Sequence, residues 1–192
     1  MNTGIPREWL KLQYIDPAHT LIRMRHIELT QPLEELPYKV ASLRTNELRG
    51  PREARQGALF TYGLGQCLGV PINFALSEEQ DYDIVVRYAA NGIVNYLPVQ
   101  LKEWVPETLN PQSTLQDEID KLAKYVDSKN LAVAFYLNRD TSFNLSVLEL
   151  PRERIGGLWL YGASNPLQER WFLVGNLLIP NAKAHEFTYP AA

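Results

Sequence analysis

Asp81-Tyr82-Asp83-Ile84-Val85-Val86, followed after an Asn91-Gly92 turn by Val99-Gln100-Leu101-Lys102, is the stretch around which the chain is organised. Both pieces read as strands, and each carries polar groups where a buried strand is apolar. Residues two apart on a strand face the same way. Asp81 and Asp83 therefore share one face, and Gln100 and Lys102 share one face of the following strand. If the two strands are neighbours in register, a carboxylate, a carboxamide and an ammonium meet at one spot. That combination suits a divalent cation and an activated water.

Working outward, Gly50-Pro51 starts and Gly69-Val70-Pro71 stops a helix over residues 51–68. Glu53, Gly57, Phe60, Leu64 and Cys67 fall on one face of it, so a glutamate begins an otherwise apolar stripe. Residues 72–76 and 82–88 read as strands, and Asn91-Gly92 as a two-residue hairpin turn. A third strand covers 93–104, in which Pro98 marks an edge position or a bulge. Ser113 or Thr114 caps a second helix to about residue 128. Leu115, Ile119, Leu122 and Val126 form its inner face, with Asp117 and Glu118 in the favourable first turn. Residues 131–137 are almost continuously apolar, as in a central strand covered on both faces. Strand-like segments 143–150, 155–161 and 170–179 follow, and residues 181–192 read as a loosely packed tail.

Ahead of the first helix, residues 6–15 suit a short helix or strand with Trp9, Leu10 and Tyr14 inward. Residues 20–29 alternate, predicting a strand with Arg23 and Arg25 on one face and His26 as a hydrogen-bonded structural histidine on the other. Residues 31–43 form a connector with at most one helical turn. The class is α/β: a mixed central sheet flanked by helices, in the order helix, three strands, helix, strand, with additional C-terminal strands. At 192 residues one domain is expected.

Composition narrows the function. Apolar and charged fractions of 45% and 21% are those of an ordinary globular domain. No run of about 18 apolar residues predicts a membrane span. The N-terminal stretch, with Arg7, Glu8 and Lys11, does not read as a signal peptide. The lone Cys67 excludes an intrachain disulfide framework and a cysteine-rich zinc site, and a reducing cytoplasmic setting is expected. It reads as a small buried hydrophobe. His19, His26 and His185 are scattered, so neither a zinc cluster nor a serine–histidine triad has support. A net charge of -3 does not advertise nucleic acid, so any such binding must use a local patch. Arg44, Arg49, Arg52 and Arg55 gather near the start of the first helix, where phosphate is favoured, although Glu47 and Glu53 dilute them. Lys121 and Lys124, and Arg23 and Arg25, extend that track. Trp104 suits the core better than a base-stacking role.

The order of elements, with these polar residues in these places, resembles the core of the PD-(D/E)XK nuclease superfamily, which includes restriction endonucleases and junction resolvases. The resemblance spans about residues 45–140. It aligns Asp83 with the family's strand aspartate, and Gln100-Leu101-Lys102 with the glutamine variant of its acidic-x-lysine motif. Glu53 corresponds to the helix glutamate found in branches with that variant. Gln100 departs from the commonest, acidic form. The resemblance implies a restriction-endonuclease-like fold and magnesium, with manganese as a substitute, held by Asp83, Gln100, Glu53 and the Leu101 carbonyl. Lys102 would orient the attacking water or stabilise developing charge. It further implies hydrolysis of DNA phosphodiesters, with Arg49, Arg52, Arg55 and Lys121 as backbone contacts.

Each residue also has a structural reading. Asp81 and Asp83 can end a turn, Glu53 can serve the helix N-terminus, and Gln100 and Lys102 can form an exposed strand face. Two rival functions follow. One is a catalytically silent nuclease fold that binds nucleic acid or a protein. The other is an assembly subunit, a homodimer included, built on the apolar C-terminal strands with Trp159, Tyr161, Trp171 and Phe172.

Overall fold

Seven strands lie side by side in chain order in one mixed sheet: β1 (Ile72–Leu76), β2 (Ile84–Ala90), β3 (Ile93–Trp104), β4 (Ser128–Leu137), β5 (Ile155–Ala163), β6 (Arg170–Gly175) and β7 (Lys183–Thr188). The structure is a computed structural model and describes residues 4–32, 35–79 and 81–191. The strands on either side form antiparallel meanders, whereas β3, β4 and β5 run parallel. Parallel neighbours need a crossover. Between β3 and β4 it is made by α4 (Leu115–Asp120), which lies on one face of the sheet. On the other face lie α1 (Pro17–Thr30) and α3 (Arg49–Leu68), with the single turn α2 (Tyr38–Ala41) in the connector between them.

Strand alternation divides the core. Val99, Leu101, Ala132, Ala134, Tyr136, Tyr161, Trp171 and Leu173 pack beneath Leu21, Ala58, Leu59, Phe60 and Leu64 of the two long helices. Val133, Phe135, Leu158, Leu160 and Val174 pack beneath Leu115, Ile119 and Leu122 on the opposite side. The α/β class and the mixed, helix-flanked sheet are as expected, and β4 is buried on both faces over its apolar run. The hairpin turn uses left-handed residues at both Asn91 (φ 51°) and Gly92 (φ 75°), as a type I′ turn requires. Thr114 caps α4 reciprocally with Asp117.

Several expectations are corrected. Residues 20–29 are not a strand but most of α1. Asp16 caps that helix by accepting from the His19 amide at 3.0 Å, and Pro17 occupies its first turn. That signal outweighs the short alternation downstream, and His26 is exposed rather than structural. The second helix stops at Asp120 and tightens into a 3₁₀ turn, Lys121–Lys124, so Val126 lies exposed. Residues 143–150 hold only a 3₁₀ turn, Leu145–Val147. Residues 181–192 are no loose tail, because β7 pairs with β6 and buries Phe187, with Tyr189 buried beside it. Leu10 is exposed, while Trp9 is half-buried against Tyr82. Pro98 sits in a strand with neighbours on both sides, but pairing with β4 starts only at Val99. The proline thus closes the portion of β3 that has one open edge, where its missing N–H is tolerated.

Gly63 of α3 lies directly against the Phe187 ring of β7. A Cβ there would stand 2.6 Å from the Phe187 ring. Gly63→Ala is therefore expected to lose about 1–3 kcal/mol through overpacking, despite alanine's better helix propensity. A thermal melt showing equal or higher stability would contradict that packing. Among the described residues, no helix is long and apolar enough to cross a membrane.

Candidate functional site

β2 begins at Ile84, opposite Val99, but β3 continues to Trp104 with only β4 beside it. The sheet therefore forks at the start of β2, and Asp83 sits in the fork. Its backbone is held on both sides: its N–H donates to Val99 O at 3.0 Å, and its carbonyl accepts from Ser77 N at 2.9 Å. The Asp83 side chain is turned onto β3. Its Oδ2 accepts from the Leu101 amide at 2.6 Å and from Gln100 Nε2. The Gln100 Oε1 accepts from the Tyr125 hydroxyl at 3.1 Å. Asp83 and Gln100 are 9% and 7% exposed, so the pair is buried polar structure and not a solvated strand face. A strand residue's N–H and C=O point to the same side. The Leu101 carbonyl thus opens toward the fork beside its amide.

α3 contributes from the other side. Arg49 lies at the start of α3, and its Nε donates to Glu53 Oε1 at 2.6 Å while its Nη2 stands 3.8 Å from Asp83 Oδ1. Because α3 starts at Arg49, Glu53 lies beyond its first turn and caps nothing, so the helix-terminus reading is corrected; it is linked to Asp83 through Arg49. Counting side-chain atoms alone, Arg49 is 67% exposed, against 18% for Glu53 and 11% for Asp83. An exposed guanidinium thus lies over one buried and one partly buried carboxylate.

Burial disfavours the charged forms of Asp83 and Lys102. Burial pushes the Asp83 carboxyl up; the Leu101 N–H opposes this, Glu53 adds to it, and Lys102 and Arg49 counter it, with a net rise. Burial pushes the Lys102 ammonium down; Asp83 opposes this, while Lys124 and Arg49 reinforce it. Asp83 and Lys102 help one another, yet desolvation wins for both. Such under-compensated charges are a mark of functional sites, though structural networks show them too. The Tyr125 hydroxyl is raised to about 12, chiefly by burial and then by Asp83 and Asp81. It stays protonated at neutral pH and remains a donor to Gln100.

Asp83 meets Gln100 and the Leu101 amide directly and feels the charge of Lys102, whereas Glu53, on the α3 side of the sheet, is linked to it through Arg49. The wider set of expected contacts divides. Arg49 is at the fork, Arg52 is half-buried one turn along the helix, and Lys121 is exposed and bonded to Glu118 at 2.7 Å. Arg55 is corrected from a backbone contact to an internal residue. Its guanidinium is nearly buried, bonded to Glu28 at 3.3 Å and Gln168 at 2.7 Å. Arg44 is likewise internal, paired with Glu103. Asp81 is exposed, and Trp104 is core, 5% exposed with its indole N–H on Ser113 O. Tyr125 was not anticipated; nothing in the local sequence marks a helix-end tyrosine as the partner of a strand glutamine. Arg49 was expected to meet phosphate, not carboxylates.

Among the described residues no three His, Cys, Asp or Glu side chains gather as a metal cluster. The fork instead combines two carboxylates with carbonyl-type oxygens, a donor set that suits a hard cation retaining several waters. Asp83 Oδ1 and the second oxygen of Glu53 remain available, whereas Gln100 Oε1 is engaged by Tyr125. No protein-family model, curated protein or solved structure matches the chain.

Proposed function

We propose that the chain is a magnesium-dependent nuclease that hydrolyses phosphodiester bonds of DNA at the fork between β2 and β3. The observation that carries this reading is the grouping of Gln100, Leu101 and Lys102 about Asp83, with Glu53 of a separate helix linked to Asp83 through Arg49. The succession α3, β1, β2, β3, α4, β4 supports a restriction-endonuclease-like core. Asp83, Glu53 and the Leu101 carbonyl would hold the cation, and manganese would substitute for magnesium. When bound, the ion neutralises phosphate charge and lowers the pKa of a coordinated water.

The chain's own groups have distinct tasks. The Leu101 amide and the Gln100 carboxamide fix one oxygen of Asp83 and leave the other directed outward. Gln100 adds its oxygen only by turning its carboxamide over, after which the Tyr125 hydroxyl can accept from Nε2. Lys102 aligns the attacking water and places positive charge beside the phosphorane. Its depressed pKa brings the amine closer to accepting a proton from that water. The water oxygen bonds to phosphorus and gives its proton to the unprotonated amine, as the phosphorus–oxygen bond to the sugar breaks and the leaving oxygen takes a proton from solvent. Arg49, Arg52, Lys121 and Lys124 supply backbone contacts around the fork.

Linear duplex, single-stranded and branched DNA incubated with the protein and magnesium or manganese test the reading. Cleavage is expected for at least one form, reduced about 100-fold or more in Asp83→Asn. Absence of cleavage with every form, or undiminished cleavage by the variant, would refute it. A silent binding scaffold is the second reading. It is favoured by the engagement of Gln100 Oε1 with Tyr125, and it predicts no metal binding that depends on Asp83.

A further inference from the structure

The guanidinium of Arg49 stands where a cation is needed. It bonds Glu53 at 2.6 Å and approaches Asp83 at 3.8 Å, so it bridges the only two carboxylates of the proposed centre. Its own side chain is 67% exposed, whereas Asp83 is buried and Glu53 partly buried. A long side chain anchored at a helix start can swing outward without disturbing the sheet. Asp83 cannot follow, because it is fixed by two donors from β3. The three other residues at the centre do not compete in this way: Gln100 and Leu101 are neutral, and Lys102 lies on β3.

Resting on the nuclease reading, we propose that Arg49 is a movable counterion. It neutralises Asp83 and Glu53 in the free protein and yields them to a divalent cation when a phosphate of the nucleic-acid backbone draws it outward. A guanidinium matches phosphate oxygens in a two-pronged geometry at least as well as it matches carboxylate. Metal and phosphodiester binding are then thermodynamically coupled through one side chain, and the coupling is reciprocal. The free protein avoids two uncompensated acids, and metal is bound firmly only where substrate is present. The neutral Gln100 fits this arrangement, since a third carboxylate would hold metal without substrate.

Isothermal titration with magnesium, and with calcium in the presence and absence of a short DNA duplex, tests the coupling without a turnover readout. Arg49→Ala is expected to bind either metal about five- to tenfold more tightly than wild type in the absence of DNA. In wild type the duplex should tighten calcium binding by a similar factor, and in Arg49→Ala that gain should vanish. Arg52→Ala, which removes the same charge one helical turn away, should change metal affinity by less than about twofold. Metal binding by R49A alone, with none by wild type, also supports the proposal. Equal affinities in wild type and R49A, or equal tightening by R52A, would overturn it while leaving the nuclease reading intact. Absence of metal binding by both wild type and R49A would overturn the metal centre itself. Circular dichroism of each variant confirms that it is folded before titration.

Discussion

Lys102→Met is expected to lower magnesium-dependent DNA cleavage about a thousandfold while raising the melting temperature. The activity loss follows from the proposed role of the ammonium beside the reacting phosphate, where one well-placed group contributes about two to four orders of magnitude. The stability gain follows from desolvation. Burial holds the Lys102 pKa below its ordinary 10.5 even with Asp83 beside it, so the fold penalises the charged form. A group whose folded pKa is depressed in this way binds its proton more weakly in the native than in the unfolded state. The penalty is full at pH values below the folded pKa. It disappears as pH rises towards 10.5, where the unfolded chain also loses the proton. Methionine retains an unbranched apolar stem and removes the charge. Lys102 is partly exposed, so solvent screening leaves a small gain of about 0.3–1 kcal/mol, or roughly 1–4 °C, at pH 7 without divalent cation. The gain should shrink as the pH is raised towards 10.5. A variant that loses stability at pH 7 would show Lys102 to be a structural ion-pair member. A variant that keeps full activity would remove it from the mechanism.

Why the sequence disclosed the fork but not its surroundings has a physical basis. Asp83, Gln100 and Lys102 lie on strands, where a two-residue period assigns faces directly, and the Asn91-Gly92 turn fixes how the strands pair. Glu53 was legible because helical spacing put it at the head of the apolar stripe of α3. Arg44 and Arg55 were misjudged because sequence gives charge but not burial. An arginine near a helix start can meet solvent phosphate or an internal acid, and only the fold determines that Glu28 and Glu103 stand opposite. α1 was misread as a strand because only Pro17 and Leu21 are buried along it. Its apolar stripe is too weak to override a short alternation, and the Asp16-Pro17 start was the stronger signal. β7 was readable in principle, since His185, Phe187 and Tyr189 alternate with polar or small residues. Its polar character and terminal position drew attention from that period.

The residue next to Lys102 should respond in the opposite direction. Glu103→Leu is expected to lose about 3 kcal/mol, lowering the melting temperature by roughly 6–12 °C. Consecutive strand residues face opposite sides, so Glu103 points beneath α3. There its Oε1 accepts from Arg44 Nη2 and from Asn138 Nδ2 at 2.8 Å, and its Oε2 accepts from Gln56 Nε2 at 3.3 Å. Arg44 and Glu103 are only 15% and 12% exposed, and Arg44 Nε has no partner of its own. Removing the carboxylate leaves a guanidinium and two amide donors facing an apolar leucine. The cost comes from that stranded charge and not from the worth of the pair, because a buried ion pair barely repays its own desolvation. The distinction can be measured. If the stranded charge dominates, Arg44→Leu in the Glu103→Leu background should restore most of the lost stability, giving a strongly non-additive cycle. If the pair itself supplies the energy, the double variant should remain as unstable as the single one. Glu103→Gln, which keeps an acceptor for Arg44 but not the charge, should fall between wild type and Glu103→Leu. Two adjacent side chains of β3 would then move the melting temperature in opposite directions, because Lys102 is a charge the fold holds at a cost and Glu103 is one on which its neighbours depend.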